Sequence, residues 1–115
     1  MLLLAVTLLS ACSTARLEVR NQSASRLDDM TIQAGGRTAS IGSIEPSAMK
    51  QSSICPRGEL GALHVSFRAD GKVFQRDHSI YFECHSLYNL RIVVSPSFET
   101  TVVLLPDGTY KPRTP

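Results

Sequence analysis

Along most of the chain, apolar and polar residues alternate with a period of two, and no stretch sustains the 3.6-residue period of a helix. Leu17 and Val19 alternate with Arg16, Glu18 and Arg20 before the turn-rich run Asn21-Gln22-Ser23-Ala24-Ser25. Met30, Ile32 and Ala34 line one face of a second predicted strand, which stops at Gly35-Gly36. Ala39 and Ile41 mark a third, ended by Gly42 and the turn Ile44-Glu45-Pro46-Ser47. The stretch from Met49 to Cys55 is weakly patterned and suits an edge strand.

The second half is cleaner. Leu63, Val65, Phe67 and Ala69 alternate with His64, Ser66 and Arg68, and the strand runs into Asp70-Gly71, a strong two-residue hairpin signal. Lys72 to Arg76 then returns antiparallel. Ile80 to Cys84 is a short aromatic segment, after which Tyr88, Leu90, Ile92 and Val94 share a face opposite Asn89 and Arg91. Ser95-Pro96-Ser97 turns the chain again. Thr100 to Leu105 is β-branched and apolar on both faces, the pattern of a central strand covered on both sides, and Pro106-Asp107-Gly108 ends it.

Roughly seven to nine short strands at 8 to 12 residue spacing, with turn residues at nearly every junction, predict an all-β fold. A small antiparallel β-sandwich of immunoglobulin-like type is the expected architecture, and a small β-barrel, which uses the same alternation, is the alternative. At 115 residues the chain holds one such domain.

The first residues break the alternation. Met1 to Ala11 is an uncharged apolar run ending in small residues. It is shorter than the roughly 20 residues a membrane-spanning helix needs and matches the hydrophobic region of a secretory signal. Leu9-Ser10-Ala11-Cys12 resembles the lipobox of bacterial lipoproteins at all four positions. The resemblance implies a signal peptide over 1–11, an acylated Cys12, a short tether over 12–15 and a single β domain over 16–115. The signal lacks the usual Lys or Arg near its start, which leaves open a translation start upstream of Met1. Ser13, rather than Asp, after the lipidated Cys implies the outer membrane, at its periplasmic face. The runs Leu17 to Ser23, Met30 to Gly36 and Ile41 to Pro46 are similar to those of uncharacterised small immunoglobulin-like envelope lipoproteins, which implies a fold and no activity.

With Cys12 assigned to lipid, Cys55 and Cys84 remain as a pair in an oxidising compartment, and a disulfide between them is expected. It would close a loop of about 30 residues, for which chain entropy gives about 3.5 kcal/mol before strain. A metal site built from Cys55, Cys84 and His85 or His78 has no ligand spacing behind it.

The formal net charge is +2, and the arginines are scattered singly, often beside Asp or Glu. A nucleic-acid binder needs a concentrated basic face, so no nucleic-acid partner is expected. Candidate chemistry is equally sparse. No Gly-x-Ser-x-Gly elbow accompanies the histidines: His64 falls on a polar strand face, His78 follows Asp77 in a turn, and His85 follows Cys84. Asp28 and Asp29, as strand neighbours, should point to opposite faces and not share a proton. Asn21-Gln22-Ser23 fits a glycosylation sequon but reads better as a turn exploiting the tolerance of Asn for left-handed backbone. No catalytic residue, cofactor or metal is assigned. Of the aromatic cluster Phe74, Tyr81, Phe82 and Tyr88, most belongs in the core, while Phe74 and Phe82 are candidate partner contacts on an exposed face.

Three residues, Ser13, Thr14 and Ala15, separate Cys12 from the first predicted strand, and even with Arg16 extended they reach about 15 Å. The expectation is therefore a non-enzymatic lipoprotein of the cell envelope, held to the bilayer by acylated Cys12. It would act as a binding or accessory module on an envelope protein or cell-wall partner near the membrane. The alternative is a periplasmic inhibitor or immunity protein against a wall-degrading enzyme. A basic loop-borne plug would favour the inhibitor, and an open strand edge or flat apolar face would favour the binding module.

Overall fold

The computed structural model of the chain describes residues 14–55, 62–80 and 87–105. Eight strands run through them: β1 (Thr14–Asn21), β2 (Leu27–Ala34), β3 (Arg37–Ile44), β4 (Met49–Ile54), β5 (Leu63–Ala69), β6 (Lys72–His78), β7 (Leu87–Val94) and β8 (Thr100–Leu104). They form two four-stranded sheets, ordered β4-β1-β7-β8 and β3-β2-β5-β6. Each sheet keeps two edges, so the architecture is a sandwich and not a closed barrel. Every pairing is antiparallel except β1 with β7, which run parallel from Thr14 opposite Leu87 to Asn21 opposite Val94. That pairing departs from the all-antiparallel expectation: β1 and β7 are far apart in sequence, and alternation carries no strand direction.

The core follows from the alternation. Leu17 and Val19 of β1, Ile32 of β2, Val65 and Phe67 of β5, and Leu90 and Ile92 of β7 are fully buried between the sheets. Phe67 stacks on Phe74 at 5.2 Å between ring centroids, and Phe98 closes on Phe74 at 5.0 Å. The hairpin at Asp70-Gly71 is present, both residues having positive φ (53° and 76°) as a tight two-residue turn requires. β4 is an edge strand, as the weak pattern suggested.

Four local expectations are corrected. β3 does not end at Gly42 but continues to Ile44. Gly42, at φ 89°, sits where β3 holds one extra residue against β2, so the glycine bends the strand without terminating it. Asp28 and Asp29 lie in a bulge of β2 that lets both Leu27 and Met30 face the core, with Asp29 at φ 54°. β6 runs on to His78, which is its last residue and not part of a turn. β8 is an edge strand, not a central one, with Val103 41% and Leu104 51% exposed.

One end of the sandwich is held by a buried side chain. Asn21 terminates β1, and its Nδ2 donates to the carbonyls of Ser25 at 2.7 Å and Ile44 at 3.0 Å. Its Oδ1 accepts from the amide of Ser23 at 2.9 Å and from Ser23 Oγ at 2.7 Å. The expectation of left-handed backbone at Asn21 is thus overturned: its φ is not positive, and the residue is used for its amide, which satisfies every buried group it meets.

Candidate interaction face and open edge

The sheet β4-β1-β7-β8 presents an outward face built in rows by the register. Glu18 of β1 pairs with Gln51 of β4 and with Arg91 of β7, and Arg91 in turn faces Val103 of β8. One row toward the start of β1, Arg16 lies between Ser53 and Asn89, and the amide of Leu105 donates to the carbonyl of Asn89 at 2.9 Å. An open groove of about 590 Å³ crosses the face, lined by Arg16, Glu18, Gln51, Ser53, Asn89 and Arg91.

Glu18 is the electrostatic centre of that face. Its Oε2 accepts from Arg20 Nε at 2.5 Å and Arg91 Nε at 2.7 Å, and its side chain is 16% exposed. Burial alone would raise its carboxyl, but the hydrogen bonds and charges of Arg91 and Arg20 outweigh it and hold the group below the usual carboxylate range. Arg-x-Glu-x-Arg over residues 16 to 20 carried a signal for this clamp, since alternate residues share a face. Arg91 is 73 residues away from Glu18 in sequence and could not be placed beside it from the pattern.

The β8 side of the sheet is open. No strand pairs with the outer edge of β8 among the described residues, and Val102, Val103 and Leu104 put apolar side chains on both of its faces. On the opposite sheet, edge strand β6 is guarded differently. Its Arg76, cross-strand from core-facing Val65, is an exposed charge on the edge of the kind that discourages strand addition.

The two described histidines, His64 and His78, do not converge. His64 Nδ1 meets Asp77 Oδ1 across the β5–β6 ladder on an exposed outer face. His78 Nε2 meets Thr100 Oγ1 at 2.6 Å, joining the ends of two edge strands from different sheets. Burial pushes the His78 imidazole below its usual range, Arg76 adds to the shift, and Asp77 opposes it. Among the described residues no group of His, Cys, Asp and Glu is arranged to hold a metal ion.

Phe74, a candidate partner contact, is half-buried with its ring stacked on Phe67 and tilted against Phe98, and the exposed apolar residue of β6 is instead Val73. Cys55 is disulfide-bonded, which removes its thiolate from any metal set. Cys84, the partner expected for it, lies outside the described residues, as do Cys12, Phe82 and His85. Asp28 and Asp29 are paired separately, Asp28 with Arg26 at 2.8 Å and with Ser43 Oγ at 3.0 Å, Asp29 with Arg68 at 3.7 Å.

No protein-family model matches the sequence, and no curated protein matches it. Among solved structures, a protein from Eubacterium rectale superimposes with a TM-score of 0.56 at 11% identity, over 83% of this chain and 91% of the other. The N-terminal domain of AlgF from P. aeruginosa superimposes with a TM-score of 0.46 at 22% identity, over 81% of this chain and 94% of the other. The first likeness extends to the fold alone.

Proposed function

We propose that this chain is a non-enzymatic lipoprotein of the cell envelope that presents the open edge of β8 to an extended segment of a neighbouring envelope protein. The observation that carries the reading is the edge itself. β8 runs through Thr100 to Leu104 with its outer backbone groups unpaired by any described strand, and Val103 and Leu104 stand exposed on opposite faces. An added strand would draw affinity from the main-chain ladder and specificity from alternate side chains over Val103 and Leu104. Natural edges are ordinarily blunted by charge or proline, and β8 has neither between Thr100 and Leu104.

The lipobox over Leu9 to Cys12 supports anchoring, through the resemblance described above. The described loops support a binding module over an inhibitor. They are short, and their one basic residue, Arg26, is tied to Asp28 and forms no plug.

Site-specific photocrosslinking in cells tests the reading. A photoreactive residue at Val103 should capture a discrete envelope protein that the same residue at Ser40, on edge strand β3, does not. Val103→Lys should abolish the adduct while circular dichroism stays unchanged. Identical capture from both positions, or none from Val103 in a chain recovered with the membranes, would remove β8 as the docking edge.

A further inference from the structure

The two sheets are charged unlike. Strands β4, β1, β7 and β8 carry four cationic side chains, Arg16, Arg20, Lys50 and Arg91, and a single carboxylate, Glu18. The other sheet sets Asp28, Asp29 and Asp77 against Arg37, Arg68, Lys72 and Arg76. Register also decides where the cations stand. Arg37, Lys50, Lys72 and Arg76 lie cross-strand from core-facing Ala34, Val19, Ala69 and Val65, so alternation keeps them off both outer faces. The charges left on the outer face of the second sheet are paired, Arg68 with Asp29 and His64 with Asp77. The outer face of the first sheet keeps Arg16, Arg20 and Arg91 around Glu18, an excess of positive charge, and the groove lies within it. Its polar groups are open. The exposed guanidinium of Arg16 and the side chains of Gln51, Ser53 and Asn89 are bonded to no described residue. Glu18 takes only the Nε of Arg91 and spends only its Oε2, so the Nη groups of Arg91 and Glu18 Oε1 have no partner among the described residues. Arg16 pairs with Asn89, and Arg91 lies two residues farther along β7, a diagonal spacing of about 7 Å that two long side chains can close over one carboxylate.

We infer that this groove is a docking site for an acidic peptide segment of a second protein, with a side-chain carboxylate of that segment held by the guanidinium groups of Arg16 and Arg91. The peptide units beside that carboxylate each bring one donor and one acceptor. The groove answers both: the amides of Gln51 and Asn89 and the hydroxyl of Ser53 donate and accept, and Glu18 Oε1 accepts a backbone N–H. A phosphate-rich polyanion brings acceptors alone and would set its oxygens against Glu18. A glycan would find no aromatic ring among the lining residues to stack on. The site lies across the strands of the sheet and uses neither the acyl anchor nor the free edge of β8, so it stands or falls apart from the reading proposed above.

Fluorescence anisotropy of full-length protein in neutral detergent tests the site. The probe is a fluorescein-labelled octapeptide of alternating serine and glutamate, with the serine–glutamine octapeptide as its uncharged control. The acidic peptide should bind, more weakly as salt rises, and the control should not. Arg16→Gln should lower the affinity about tenfold, the loss of one charge-assisted contact. Ser53→Glu, cross-strand from Arg16, should do the same by supplying a competing carboxylate, which keeps the test open if either variant fails to fold. Lys72→Gln and Arg37→Gln remove the same charge outside the groove and should leave binding unchanged. Equal losses in all of these variants would mean attraction to net charge alone and overturn the inference. So would binding of the glutamine peptide, or no binding of the acidic one. A hyaluronan octasaccharide, which carries the same number of carboxylates, competes for the groove from another class of ligand. If it binds more tightly than the peptide, the groove is a glycan site and the inference falls.

Discussion

The side-chain amide of Asn21 donates to the main-chain carbonyl of Ile44 at 3.0 Å, fastening the last residue of β1 in one sheet to the last residue of β3 in the other. Asn21 is 1% exposed and Ile44 fully buried, so no water stands ready to replace the bond. Asn21→Ala should leave the carbonyls of Ile44 and Ser25 and the amide of Ser23 without their partners, at a cost of about 3 kcal/mol. Urea denaturation should show a lower midpoint at unchanged slope. Asn21→Asp should be worse at neutral pH than Asn21→Ala, because an ionised carboxylate accepts where two donors are needed.

The same residue marks a limit of the alternation. Leu63 to Ala69 and the Asp70-Gly71 turn were fully legible, since each depends on neighbours close in sequence. Asn21 was legible only as a turn residue, because its partners Ile44 and Ala48 come from a connection that no local pattern specifies. The pattern of β8 is ambiguous for a related reason. Apolar residues on both faces fit a covered central strand or an exposed adhesive edge, and only the ladder order, with β7 on one side of β8, distinguishes the two. Gly42 reads as a stop in the sequence because a strand-interior glycine and a terminal one look alike until the opposite register shows an extra residue.

Positive φ at Gly71 and Gly42 predicts a conformational penalty free of steric conflict. A Cβ added at either position meets nothing within 4 Å, so Gly71→Ala and Gly42→Ala should each cost about 1 kcal/mol from backbone strain alone. Gly71→Asn should recover much of the loss, because Asn tolerates the left-handed region. Thermal unfolding of the three variants would measure the differences.

His78 gives the fold a pH dependence. Its imidazole is held below the ordinary histidine value in the folded protein, chiefly by burial, so the unfolded chain binds the proton more readily. Stability contributed by neutral His78 should be complete above pH 6.5 and decline as pH falls through the folded value. His78→Gln should flatten this part of the stability profile while keeping a group able to bond Thr100 Oγ1. An unchanged profile in His78→Gln would place the titration elsewhere.

Glu18 titrates with the opposite emphasis. Its carboxyl lies below the usual carboxylate range against the effect of burial, because Arg91 and Arg20 bond it, so its contribution is present above the unfolded value and lost as pH falls through the folded one. Both arginines are partly exposed, which screens the pairs. Glu18→Gln should therefore cost only about 1 kcal/mol at neutral pH. Its larger effect should fall on the outer face, where Arg91 is released into the groove, and it should be visible as slower exchange of added anionic peptide in that variant by NMR titration.

The tether offers the test that separates folding from location. Strand pairing begins at Thr14, earlier than the alternation indicated, so the link from Cys12 is shorter than about 15 Å and an insertion must precede Thr14 to leave β1 intact. Three chains should be compared in cells: the natural one, Cys12→Ser, and one with a flexible insertion of about 20 residues after Ser13, which as a random coil spans about 25 Å on average. All three should give the same β-rich spectrum, because the core of Leu17, Val19, Ile32, Phe67 and Leu90 makes no use of the membrane. The β8 crosslink at Val103 should disappear in Cys12→Ser, as detachment removes the high local concentration that anchoring gives. It should weaken in the long-tether chain, whose domain samples a greater height above the bilayer. An adduct of full strength from the detached protein would mean a diffusible target, and would turn the interpretation from a membrane-proximal assembly partner to an inhibitor acting at a distance from its anchor.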